Sequence, residues 1–152
     1  NGVNGHSFLT IVDGGLSSQI GQSIWDNKPV GILSQGNTTV TIFDSQGLPH
    51  DVAFSRPTVV QVAIAVNITT FSNFPQDGEQ KIKDALSVYF GTLSIGDDVI
   101  YSRLYTPINS VEGFQINSLT VNAGAGNVMA NIPISFSSIA ALNQNNITIT
   151  LS

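Results

Sequence analysis

Segment 59–70 constrains the fold more than any other stretch, because Val60, Val62, Ile64, Val66 and Ile68 are β-branched and share one parity. Successive side chains of a strand point to opposite faces, so five apolar residues in step bury one face of a sheet. That face needs a covering layer, and the rest of the chain has to supply it.

Helices are predicted in three places. Leu16, Ile20 and Ile24 recur every four residues, with Trp25 beside them, up to the breakers Pro29 and Gly31, which makes a helix with one buried stripe. Ile82, Ala85, Leu86, Tyr89 and Phe90 form a second stripe behind Asp77-Gly78-Glu79-Gln80, where Asp77 is expected to cap and Gln80 to reach back. Residues 102–111 read as a third helical stretch that Pro107 kinks or splits.

Further strands follow from alternation. Residues 7–12 are a short apolar run that stops at Asp13-Gly14-Gly15. Residues 38–44, with Val40 and Ile42, turn at Ser45-Gln46-Gly47 into 50–54, with Val52 and Phe54, which predicts a hairpin. Ile116, Leu119 and Val121 continue from Phe114 to a Gly-rich loop at 122–127, and a last strand covers 147–151. The expected class is α+β: a mixed sheet with a β-hairpin and two to three helices packed on one face. The chain is expected to be one α+β fragment, divisible into a helix-plus-hairpin lobe over 1–57 and a strand–helix–helix–strand lobe over 58–152.

A chain of 152 residues is long enough for a single core. Charged residues make up only 10%, against about 25% in an ordinary soluble domain. Little charge leaves little repulsion between copies, and interface cores are depleted in charge, so the composition leans towards assembly. A neutral β-rich domain of the secreted type has the same composition. The five basic residues are scattered among ten acidic ones, which argues against nucleic-acid binding. No apolar run approaches the ~20 residues of a membrane span, and no secretory leader opens the chain, so the expectation is a soluble domain. With no cysteine, disulfides and thiolate chemistry are excluded. The chain opens Asn1-Gly2-Val3, without an initiator Met, and is expected to be a fragment or a processed product.

No catalytic, cofactor-binding or metal-binding residue is assigned. His6 and His50 lack partners at motif spacing and read as solvated or hairpin-packing histidines. Asp97-Asp98 reads as turn and cap chemistry rather than half of a metal or acid–base site. Gly124-Ala125-Gly126 has no lysine after it and reads as a hairpin loop rather than a phosphate cradle. The triplets at Asn37, Asn67 and Asn146 match a glycosylation pattern that this Asn- and Thr-rich chain produces by chance. Trp25, Phe71 and Phe74, near breakers, are the candidate interface anchors.

An ordered set of short motifs carries a resemblance. Val12-Asp13-Gly14-Gly15 is followed by Ile24-Trp25-Asp26-Asn27-Lys28-Pro29-Val30-Gly31-Ile32, Gly36-Asn37-Thr38-Thr39-Val40, Asp44-Ser45-Gln46-Gly47 and His50-Asp51-Val52-Ala53-Phe54-Ser55-Arg56-Pro57. Asp77-Gly78, Ile95-Gly96-Asp97-Asp98-Val99, Val111-Glu112-Gly113-Phe114 and Ile139-Ala140 come later. Taken together they resemble the C-terminal part of the baseplate J-like family, wedge components of contractile phage tails and related injection machines. The resemblance implies a non-enzymatic part of the tail baseplate of a virion, assembled in the bacterial host cytoplasm. Its partners would be other baseplate and tail subunits, in multiple copies, and it would help transmit the contraction trigger. It brings no cofactor, no catalytic residue and no membrane span, and the family's N-terminal half is missing here. The alternative is a carbohydrate- or receptor-binding domain of a phage tail. A small hydrolase would have to draw an acid–base pair from His50, Asp51, Asp97, Asp98 and Glu112.

Overall fold

The computed structural model describes residues 5–152 and divides after Pro57 into two compact units. The fold class is α+β, with helices, a β-hairpin and a mixed sheet.

The first unit contains β1 (Ser7–Leu9), α1 (Ser17–Asn27), β2 (Leu33–Gln35), β3 (Thr38–Phe43) and β4 (Pro49–Phe54). The apolar run at 7–12 is a strand only as far as Leu9, after which Ile11 makes a single parallel bridge to Ser55. β1 pairs in parallel with β2, a strand too short to announce itself by alternation. α1 stops at Lys28, whose amide donates to the Ile24 carbonyl at 2.8 Å, because Pro29 cannot continue the ladder. Gly21 is buried where α1 lies on β3: a Cβ there would stand 2.2 Å from Val40 Cγ2. The glycine costs about 1 kcal/mol of helix propensity, and the close approach explains it.

β3 and β4 form the expected hairpin, with Val40 opposite Val52 and Ile42 opposite His50. Its loop is closed by Asp44, whose Oδ1 accepts from the amides of Gln46 (2.8 Å) and Leu48 (2.9 Å), and by Gly47 at φ 79°. Among the described residues of this unit, the buried apolar side chains are Ile42, Val52 and Phe54.

The second unit, Thr58–Ser152, is built on β5 (Thr58–Thr70), which lies between β6 (Phe114–Asn122), antiparallel to it, and β7 (Ser138–Leu151), parallel to it. Val62, Ile64, Val66 and Ile68 are buried in step, and α2 (Gly78–Phe90) covers them with Ile82, Leu86 and Phe90. Leu104 and Ile108 join the same core from a 3-10 turn at Tyr101–Leu104 and from α3 (Tyr105–Ile108). The third helical stretch is therefore split, with Pro107 in the first turn of α3, where its missing N–H is not needed.

Two irregularities set the sheet's register. On β6, Asn117 and Ser118 both stand opposite Asn67, so the inward parity changes from Ile116 to Leu119. On β7, residues 143–146 stand opposite Ala63 alone, so the inward set Ala140 and Leu142 gives way to Ile147 and Ile149. β7 is consequently much longer than the expected 147–151, because its Asn- and Gln-rich interruption hides the first half.

The expected cap of α2 does not form. Phe74 packs its ring on Gly78, where a Cβ would be 2.4 Å from the ring, and Gly78 donates to the Pro75 carbonyl at 2.9 Å. This tight entry holds Asp77 at φ −97°, ψ 14°, outside the extended conformation that a capping side chain requires. Asp77 instead pairs with Lys81 at 3.0 Å, and Gln80 donates to Asp84 (2.8 Å) and Gln144 (3.2 Å).

Candidate interaction surfaces

Trp25, on α1, is half-buried and stacks on His50, on β4, with centroids 4.2 Å apart and planes at 22°. The Lys28 ammonium lies 4.7 Å from the Trp25 ring centroid. His50 Nε2 is 2.9 Å from Asp44 Oδ2. The hydrogen bond with His50, then the one from the Leu48 amide, holds the Asp44 carboxyl below its ordinary range. The histidine thus packs at the head of the hairpin, and the Asp44 carboxylate, with three partners, is committed to closing it.

Phe71 is 52% exposed and follows β5. Phe74 is spent inside the second unit, on Gly78 and edge-to-face on Phe114 at 5.7 Å. A Cβ on Gly113, at φ 89°, would come within 2.6 Å of the Phe74 amide, so the two loops need that glycine.

Of the remaining acid–base candidates, Asp51, Asp97 and Asp98 serve the backbone or a neighbour. Asp97 Oδ2 accepts from the Ser94 amide and Asp98 Oδ1 from the Ile134 amide, each at 2.7 Å. Asp51 Oδ1 accepts from Thr41 Oγ1 at 2.7 Å across the hairpin, and Glu112 is exposed. Asp97 and Asp98 tie a turn and a distant segment rather than cap a helix. Among the described residues no group of three or more His, Asp or Glu side chains could hold a metal ion. Every buried side-chain N or O among them has a hydrogen-bond partner, so none is left aimed at a ligand. Among the described residues no helix is long and apolar enough to cross a membrane. No protein-family model matches the chain, and no curated protein matches it.

What the chain does present is apolar side chain. On the first unit Leu16, Val30, Leu33, Phe43 and Leu48 are all more than half exposed. On the second, Val88, Met129 and Phe136 are similarly exposed, and Val88 borders a shallow groove of about 500 Å³ with Ala85, Tyr89 and Pro107. Aromatic identity alone did not separate these residues from core. Parity separates Phe43: Val40 and Ile42 alternate with it on β3, so it points away from the face that Ile42 buries.

Proposed function

We propose that the chain is a non-enzymatic structural part of the baseplate of a contractile phage tail, or of a phage-derived device, of the baseplate J-like kind. It assembles in multiple copies with other baseplate and tail subunits in the virion and helps transmit the contraction trigger. One observation carries this reading: the first unit buries Ile42, Val52 and Phe54 and leaves Leu16, Val30, Leu33, Phe43 and Leu48 outside. Single exposed apolar residues are ordinary, but an apolar exterior beside so small a core is surface for protein neighbours.

The motif residues support the reading by the work they do. Asp44 and Gly47 close the hairpin, Arg56 grips the carbonyls of Gly14 and Gly15, Asp97 anchors a turn and Asp98 holds the distant segment at Ile134. A motif series devoted to shape suits a part whose task is to fit its neighbours. The test is a reconstruction of intact particles by electron microscopy. The expected result is density for this chain in the baseplate, with exposed apolar residues of the first unit against another subunit; a baseplate fully accounted for by other chains sinks the proposal.

A further inference from the structure

β7 is an edge strand: β5 occupies one side, and among the described residues no strand pairs with the other. Edge strands are ordinarily kept from pairing by charge, proline, shortness or a bulge. Ser138–Leu151 contains no charged residue and no proline. Its irregularity is confined to 143–146, where Gln144 is held by Asp84 at 2.8 Å, which leaves 147–151 as a regular run.

That run reads Ile147-Thr148-Ile149-Thr150-Leu151, a pattern of apolar and threonine residues that is the same in both directions about Ile149. Ile147, Ile149 and Leu151 stand opposite Ile64, Val66 and Ile68, on the core side of the sheet, whereas Thr148 and Thr150 are exposed on the other face. Leu151 is 50% exposed. The opposite edge of the sheet, β6, is bent by the bulge at Asn117 and offers no such run.

We propose that a second copy of this chain pairs with β7, antiparallel and centred on Ile149, joining two three-stranded sheets into one of six strands. The pattern selects the occupant. Across a two-fold axis at Ile149, position 147 meets 151 and position 148 meets 150, so apolar residues meet on the core side and threonines on the outer side. A slip of one residue would put threonine against the core face. No charge lies on this edge to oppose the approach of an identical copy. The pairing goes beyond the assembly role and does not rest on it.

The test is sedimentation velocity of the purified chain over a concentration series, on the parent and two variants. The parent is expected to approach twice the monomer mass. The double substitution Thr148→Lys with Thr150→Lys sets lysine against lysine in both outer pairs and is expected to weaken association at least about tenfold, since like charges directly opposite are destabilising. The combination Thr148→Lys with Thr150→Glu sets lysine against glutamate in both pairs and is expected to recover the dimer. Thr148 and Thr150 lie outside the core, and equal thermal midpoints for the two variants at low concentration show that both fold. A parent that stays monomeric throughout overturns the proposal. So does a dimer that the two lysines leave intact, or a lysine–glutamate variant as weak as the double lysine.

Discussion

Replacing Arg56 removes the side chain that ties the first unit's opening turn to its hairpin. Arg56 Nη1 donates to the carbonyls of Val12 (3.1 Å) and Gly14, and Nη2 donates to the Gly15 carbonyl (2.9 Å) and Ser17 Oγ (3.4 Å). The guanidinium carbon also lies 5.2 Å from the Phe54 ring centroid. A hydrogen bond from a charged donor contributes about 1.5–3 kcal/mol when one partner is removed. The bonds to Gly14 and Gly15 are exposed, so each counts at the bottom of that range or below, and Arg56→Ala is expected to cost about 3 kcal/mol. Arg56→Lys keeps the charge but cannot reach several carbonyls in one plane, and should cost about 1.5–2 kcal/mol. A unit of this size has roughly 3–9 kcal/mol of stability in total, so the loss is a large fraction of it.

Trp25 is the only tryptophan and lies in the first unit, so its fluorescence in a urea titration reports this unit. With a slope of about 1 kcal/mol per molar urea, the midpoint should fall by about 3 M for alanine and about 1.5–2 M for lysine. A lysine variant indistinguishable from the parent would show that the planar fork is irrelevant. An alanine variant shifted by less than about 0.5 M would refute the whole argument for the tie.

Gly113→Ala adds a Cβ within 2.6 Å of the Phe74 amide at φ 89°, whereas Gly124→Ala at φ 97° meets open space; the first should destabilise by more than the ~1–2 kcal/mol of left-handed strain that the second shows in thermal unfolding. Burial, then the hydrogen bond with Tyr105, pushes the Tyr101 phenol up to about 12. Because the folded pKa is raised, that contribution to stability is fully present below about pH 10, the unfolded value, and is lost as pH rises through about 12. Tyr101→Phe should remove this alkaline loss from unfolding curves measured across that window. Asp44 has the opposite sign: its pKa is lowered, so its contribution is present above the ordinary carboxylate pKa and is lost as pH falls through the lower folded value. Asp44→Asn should flatten the acid limb of the Trp25 fluorescence titration, and an unchanged limb would remove Asp44 from the account.

The long strand β5 was legible because its alternation is unbroken, and the hairpin because Ser45-Gln46-Gly47 marks its turn. β6 held a further clue, since the change of parity from Ile116 to Leu119 is the signature of the bulge at Asn117. The first half of β7 was hidden by its run of Asn and Gln, because no local pattern shows that four residues will stand opposite one. The cap of α2 failed for a tertiary reason, the seating of Phe74 on Gly78, which no window around Asp77 contains. Of the candidate anchors, Phe71 is open, while Trp25 has His50 stacked on its ring and Phe74 packs inward; side-chain type and a nearby breaker do not determine which way an aromatic residue points.

The shortage of charge, an average over the whole chain in the sequence, has a definite place in the second unit. β5, β6 and β7 contain no charged residue; the charges lie at Asp77, on α2, at Asp97 and Asp98, at Arg103 and at Glu112. Beside the bulge, the side-chain amide Nδ2 of Asn117 donates to Asn67 Oδ1 (2.7 Å), Thr69 Oγ1 (2.9 Å) and Ser152 Oγ (2.9 Å). Taking a charge out of water costs several kcal/mol, and an unpartnered amide or hydroxyl costs about 1–3. Side chains that already satisfy one another avoid most of that cost. The outer face of this sheet can therefore lose its water against a neighbour far more cheaply than a charged face, which is the physical content behind the compositional lean towards assembly.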